Sequence, residues 1–354
     1  MPARSLVDPL KAFRFAIPFL FLATAPLGFG LGGAWSFLTL AALPAALCGF
    51  DAVLGFADGA GGASDTVVYR GLPWAYVAAQ VAVIAWAGTV VARPTTGLVE
   101  AVGLTVSVGL TAGVFGMVAA HELVHRPSRA ARAGGLSFLA MVGYMHFRIA
   151  HIHGHHVRAA TFEDPASARR GEGAYRFILR AVVGQVAEAW AFEVARLRRR
   201  DRPVLGLGNR MLVYAAVEVA IAAGFALMGP RAFGLWLGQA LLAVVMLELF
   251  NYIAHYGLVR STAAGGRVER LAARHSWNSA RRMNNAALFN MGRHSDHHRR
   301  PTQVYQGLEA MEGAPELPAG YAGAILLALV PPLWRRVMDP RVDAWMAPLA
   351  QAAE

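Results

Sequence analysis

The sequence predicts an all-α polytopic membrane protein with six transmembrane helices, and three observations carry that reading. Hydrophobic residues make up 56% of the 354 and charged residues only 16%, far from the make-up of a soluble domain. Six apolar runs approach the roughly 20 residues that span a bilayer, near 13–33, 35–56, 73–92, 97–120, 211–229 and 232–254. The basic residues are also lopsided. With the N-terminus placed in the cytoplasm, only Arg93 and Arg231 of the 33 Lys and Arg fall on the outer side, and the positive-inside rule then sets the orientation.

Taken in order, residues 1–354 read as a single integral-membrane domain. No removable signal peptide is expected ahead of the first span. The first three spans are joined by short segments, the inner one being 57–72. The fourth continues through the histidines of HELVH and should stop near Pro127, since proline lacks an N–H and restricts the residue before it. A cytoplasmic insert, 121–210, follows. Its apolar stretch GGLSFLAMVGYMHF, 134–147, is too short for a span and reads as an interfacial or partly buried helix. The fifth and sixth spans lead to a cytoplasmic tail, 258–354. Gly-rich AAGG at 263–266 and EGAPELPAG at 312–320 read as linkers, and AGAILLALVPPLW as a membrane-surface element. No internal repeat is visible.

Composition also excludes chemistries. One cysteine, Cys48, cannot form an internal disulfide, a thiolate iron site or an iron–sulfur cluster. No Gly-rich dinucleotide fingerprint lies between a strand and a helix. The net charge of +11 follows from topology, and nothing resembles a nucleic-acid-reading module.

The strongest signal is the placement of the twelve histidines. Ten lie in four groups: His121 and His125 in HELVH; His151, His153, His155 and His156 in HIHGHH; His255 in NYIAHYG; and His294, His297 and His298 in HSDHH. All fall at the predicted cytoplasmic end. On a helix, residues i and i+4 share a face, so His121/His125, His151/His155 and His294/His298 each aim two rings one way, with His156 and His297 at another angle. HELVH alone could be a zinc protease motif with Glu122 as base, but that site needs three ligands and a water. About nine imidazoles suffice for two metals, and an imidazole set without thiolates suits iron. A metal transporter would instead line the membrane midplane. Glu248, seven residues before His255 on the sixth span, and Asp296, inside HSDHH, are expected to support the ligand rings. The role of Glu218 stays open.

The blocks HELVHR, HIHGHH, TFEDPASARRGEGAYRF, NYIAHYGL, SWNSARRMNNAALFN and RHSDHH, with LPAALCGFDAVLG ahead of them, run in one order over about residues 40–310. In this the chain resembles the membrane-bound alkane 1-monooxygenases, within the histidine-rich hydroxylase and desaturase group. The resemblance implies two non-haem iron ions held by His121, His125, His151, His155, His156, His255, His294, His297 and His298, with His153 a spacer. It implies hydroxylation of the terminal methyl of medium-chain n-alkanes, using O2 and electrons from rubredoxin and its NAD(P)H-dependent reductase, at the bacterial inner membrane. Xylene-type methyl hydroxylation and fatty-acyl desaturation or hydroxylation are the neighbouring activities. Ala150 and Ala254 stand where the family usually has glutamate. The arginines around 196–210 and 293–300 suit an acidic electron carrier.

Overall fold

The computed structural model describes residues 11–57, 66–262 and 265–351. Half of the 57–72 segment, half of the 263–266 linker and Arg4 therefore lie outside the described residues. Six helices are long and apolar enough to cross a membrane, and together with the similarity given below they make this an integral membrane protein. They are α1 (Phe13–Leu31), α2 (Gly33–Leu54), α3 (Val67–Val91), α4 (Leu98–Val124), then α8 (Arg210–Leu227) and α9 (Pro230–His255). Between α4 and α8 lie α5 (Arg129–Met141), a short composite helix α6 (Phe147–Ala150, His151–His155 and His156–Arg158) and α7 (Ala174–Arg198). After α9 come α10 (Arg282–Ala287), α11 (His294–Arg299), α12 (Gly320–Ala328) and α13 (Pro331–Gln351). No strand longer than an isolated bridge occurs among the described residues.

Local chemistry sets the boundaries. Gly32, at φ +79°, turns α1 into α2, a left-handed conformation that glycine adopts without Cβ strain. The third span begins at Val67, earlier than the expected 73, because the helix runs through Pro73. A proline there leaves the carbonyl of Tyr69 without its helical donor. The Tyr305 hydroxyl replaces that donor at 3.0 Å, so the tail repairs the third span. The expected apolar helix at 134–147 starts earlier and ends at Met141. Ser128 caps it, accepting from Ala131 N at 3.5 Å. The expected surface element AGAILLALVPPLW is split between α12 and the start of α13.

Close approach of α4 and α9 positions the site. A Cβ on Gly113 would lie 2.6 Å from Met246 Cβ and 2.9 Å from Ala243 Cα, so only glycine lets the two backbones meet there. One turn of α4, Ala112–Gly116, is π-helical, and such turns commonly mark functional sites. Beyond it α4 ends in HELVH, while α9 ends in His255, so both long helices deliver histidines at one end of the bundle.

Candidate metal centre

All nine expected histidines converge, and they sort into two sets. His121, His125, His151, His156 and His297 form a group of five; His155, His255, His294 and His298 form a group of four. In the first, the Nε2 atoms of His121 and His151 are 2.7 Å apart, those of His151 and His125 3.0 Å, those of His156 and His151 3.0 Å and those of His297 and His156 3.2 Å. In the second, the His255–His298, His294–His255 and His298–His294 separations are 3.1, 3.2 and 3.0 Å. Nitrogens about 2.1 Å from a common ion and at right angles to each other are about 3.0 Å apart, whereas tetrahedral ones are about 3.4 Å apart. The spacing thus fits one ion per group with more than four positions around it. The groups abut: the rings of His156 and His298 are 4.7 Å apart.

The distribution differs from the i, i+4 expectation in one box. His151–His155 is a π turn, which closes i to i+5 rather than i to i+4. His151 therefore shares a group with His156, and His155 passes to the other. In α11, His294 and His298 stay together as the α-helical spacing requires, while His297 reaches across. His153 belongs to neither group.

Five of the nine rings are held in the state that metal binding would require. Burial and, second to it, the neighbouring imidazoles hold His151, His156, His294, His297 and His298 well below the usual histidine range, so their rings are neutral with lone pairs available. His155 Nδ1 faces Asp164 Oδ2 at 2.8 Å, and His255 Nδ1 faces the His275 carbonyl at 3.2 Å. Each acceptor puts the ring proton on Nδ1 and leaves the Nε2 lone pair available to a metal. The buried Nε2 of His155 has no hydrogen-bond partner among the described residues. A donor set of imidazole without thiolate suits iron.

Asp164 was not singled out by sequence reasoning. Its burial opposes ionisation, but His155 and the Ser167 hydroxyl, 2.6 Å away, outweigh that and hold its carboxyl below the usual range. The two carboxylates expected to support the rings have other partners. Glu248 accepts from Tyr144 Oη at 2.9 Å, Gln185 Nε2 at 2.8 Å and Asn251 Nδ2 at 3.1 Å. Asp296 accepts from Arg300 Nε at 2.8 Å and Glu309 N at 2.9 Å. Glu122 is ion-paired with Arg126 and accepts from Tyr305 N at 3.3 Å; so committed, it is poorly placed to serve as a protease base. Ala150 and Ala254 are buried. Glu218 accepts Met145 N at 2.7 Å, closing the turn between α5 and α6.

An apolar cavity of about 160 Å³ leads to the histidines. Its inner end is lined by His121, His151 and His294, its walls by residues of α2, α4, α9 and α12. The most exposed residues of its lining are Leu40 of α2 and Leu326 of α12, each about half exposed. His125 and His156, which do not line the cavity, are partly exposed, while the group of four is fully buried.

The family model for fatty acid desaturases matches residues 96–324, a range that holds all nine histidines. Alkane 1-monooxygenase 1 of Pseudomonas aeruginosa is 41% identical over 278 residues, 78% of this chain and 73% of its own. Alkane 1-monooxygenase 2 of Alcanivorax borkumensis is 38% identical over 283 residues, covering 80% and 74%. The hydroxylase component of a xylene/toluene monooxygenase from Pseudomonas putida is 28% identical over 248 residues, covering 70% and 66%.

Proposed function

The chain belongs to the alkane 1-monooxygenase family, and from that premise we propose that it hydroxylates the terminal methyl of medium-chain n-alkanes to primary alcohols at two non-haem irons. The observation that carries this reading is the apolar cavity ending on two abutting histidine groups. When bound, the irons supply the reductive activation of dioxygen. The overall change, R–H + O2 + 2 e⁻ + 2 H⁺ → R–OH + H2O, needs two electrons and two protons from outside. The protein's own residues do the rest. Asp164 and the His275 carbonyl fix two ligand rings. The leucines and methionines of the cavity wall exclude water and align the chain so that one end meets the histidines.

Electrons come from rubredoxin reduced by an NAD(P)H-dependent reductase, docking on the partly exposed His125 and His156 side at the cytoplasmic face of the inner membrane. Exposed arginines at 198–200 and Arg299 offer an acidic carrier a complementary field. Arg300 is less suited, because it is tied to Asp296. Reconstituted turnover with limiting rubredoxin should therefore fall as salt rises. The deciding experiment supplies whole cells with n-octane, p-xylene and a saturated acyl substrate and identifies products by mass spectrometry, with iron counted in the purified protein. 1-Octanol and close to two irons per chain are expected. Oxidation of p-xylene alone would move the substrate to aromatic methyl groups, as the similarity to the xylene/toluene enzyme allows. One zinc per chain, with no oxidation product, would overturn the reading.

A further inference from the structure

Three side chains other than histidine bring polar atoms to the cavity: Asn251, Asn284 and Tyr321. The Tyr321 hydroxyl donates to the Trp277 carbonyl at 2.7 Å. Asn284 donates its amide to Asp51 and accepts Ala322 N at 3.0 Å. Asn251 differs. Its Nδ2 donates to Glu248 Oε2 at 3.1 Å, and its Oδ1 accepts from no donor among the described residues. The residue is only 4% exposed and lines the cavity, so the outlet left to this acceptor is the cavity.

Glu248 holds one end of that amide. Its other oxygen already accepts from Tyr144 and Gln185, and Oε2 takes the Nδ2 of Asn251. Nδ2 therefore points at Glu248 and Oδ1 lies on the other side of the amide. Asn251 also stands one helical turn before His255 in α9, about 6 Å along the axis, hence beside the inner end of the cavity. An alkane has nothing to give this oxygen, whereas a primary alcohol has an O–H.

We propose that Asn251 Oδ1 is a hydroxyl-binding site, which accepts the O–H of a primary alcohol whose chain lies in the cavity. The inference rests on the reading that the cavity takes an apolar chain with its reacting end at the histidines. It adds that the same cavity distinguishes the hydroxylated chain from the parent hydrocarbon. One net hydrogen bond supplies about 3- to 10-fold in affinity.

The test is equilibrium binding of radiolabelled n-octane, 1-octanol and heptyl methyl ether to the detergent-purified protein as isolated, without an electron donor. 1-Octanol should bind about 3- to 10-fold tighter than n-octane, and the ether, which can only accept, no tighter than n-octane. Asn251→Leu should remove the alcohol preference and leave octane affinity within about twofold. An undiminished preference in Asn251→Leu overturns the inference. So does an ether bound as tightly as the alcohol, a wild-type measurement that holds even if the variant fails to fold. If neither octane nor octanol binds, the reading of the cavity itself falls and takes this inference with it.

Discussion

The two nitrogens of His155 have opposite tasks: Nδ1–H donates a hydrogen bond to Asp164, and Nε2 turns to the group of four. Removing the acceptor frees the ring, so Asp164→Ala should weaken metal binding about 10- to 100-fold, while Asp164→Asn, which keeps an acceptor oxygen, should lose less. Metal analysis after graded chelator treatment reads the difference. Asp296→Asn should behave otherwise, because its partners are Arg300 and the Glu309 N–H. It should keep its iron and melt at a lower temperature, and iron loss equal to that of Asp164→Ala would contradict the assignment. The convergence of the nine histidines was legible because they recur in tight boxes at one predicted depth. Asp164 was not, although TFEDPAS lies in plain view. It meets His155 only because the chain reverses at Ala160, which has φ +60° and donates its N–H to Ser167 Oγ at 2.8 Å. No spacing rule announces that turn.

The six spans were legible from apolar length alone, since burial in lipid is a property of a whole segment. Where the expectation slipped, hydrogen bonding from elsewhere in the chain was responsible: Pro73 does not start α3 because a tail tyrosine serves the freed carbonyl. The π turn at His151–His155 was equally hidden, as α periodicity is the default assumption for a helix. The α4–α9 contact makes a prediction at this scale. In Gly113→Leu the new side chain would meet the backbone at Ala243, which cannot swing aside as a flexible chain end could. Overpacking of this kind costs about 1–3 kcal/mol, and here the displaced helix carries His255. Lower melting temperature together with lower iron content is expected. Gly30→Leu, whose Cβ meets nothing within 4 Å, should change neither. Equal behaviour of the two variants would show that the contact does not govern the site.

Across the whole molecule, orientation can be tested through the single native cysteine. In a Cys48→Ser background, Thr95→Cys, between α3 and α4, should react with an impermeant maleimide in intact spheroplasts. Gly206→Cys, between α7 and α8, should react only after lysis, and the reverse pattern would invert the protein. The exposure of Leu40 and Leu326 in the cavity lining has a further consequence. A ligand that enters there is drawn from the bilayer, so its effective concentration is set by partition and not by solubility in water. Each added methylene favours transfer out of water by about 0.8 kcal/mol, roughly a fourfold rise in membrane concentration per carbon. Chain-length preferences expressed against total alkane would then record the membrane's selectivity multiplied by the enzyme's. Doubling the lipid at fixed protein and alkane should dilute the substrate and raise the apparent KM in proportion, while KM expressed as mole fraction in lipid stays constant. An apparent KM indifferent to lipid volume would place the entrance on the aqueous side.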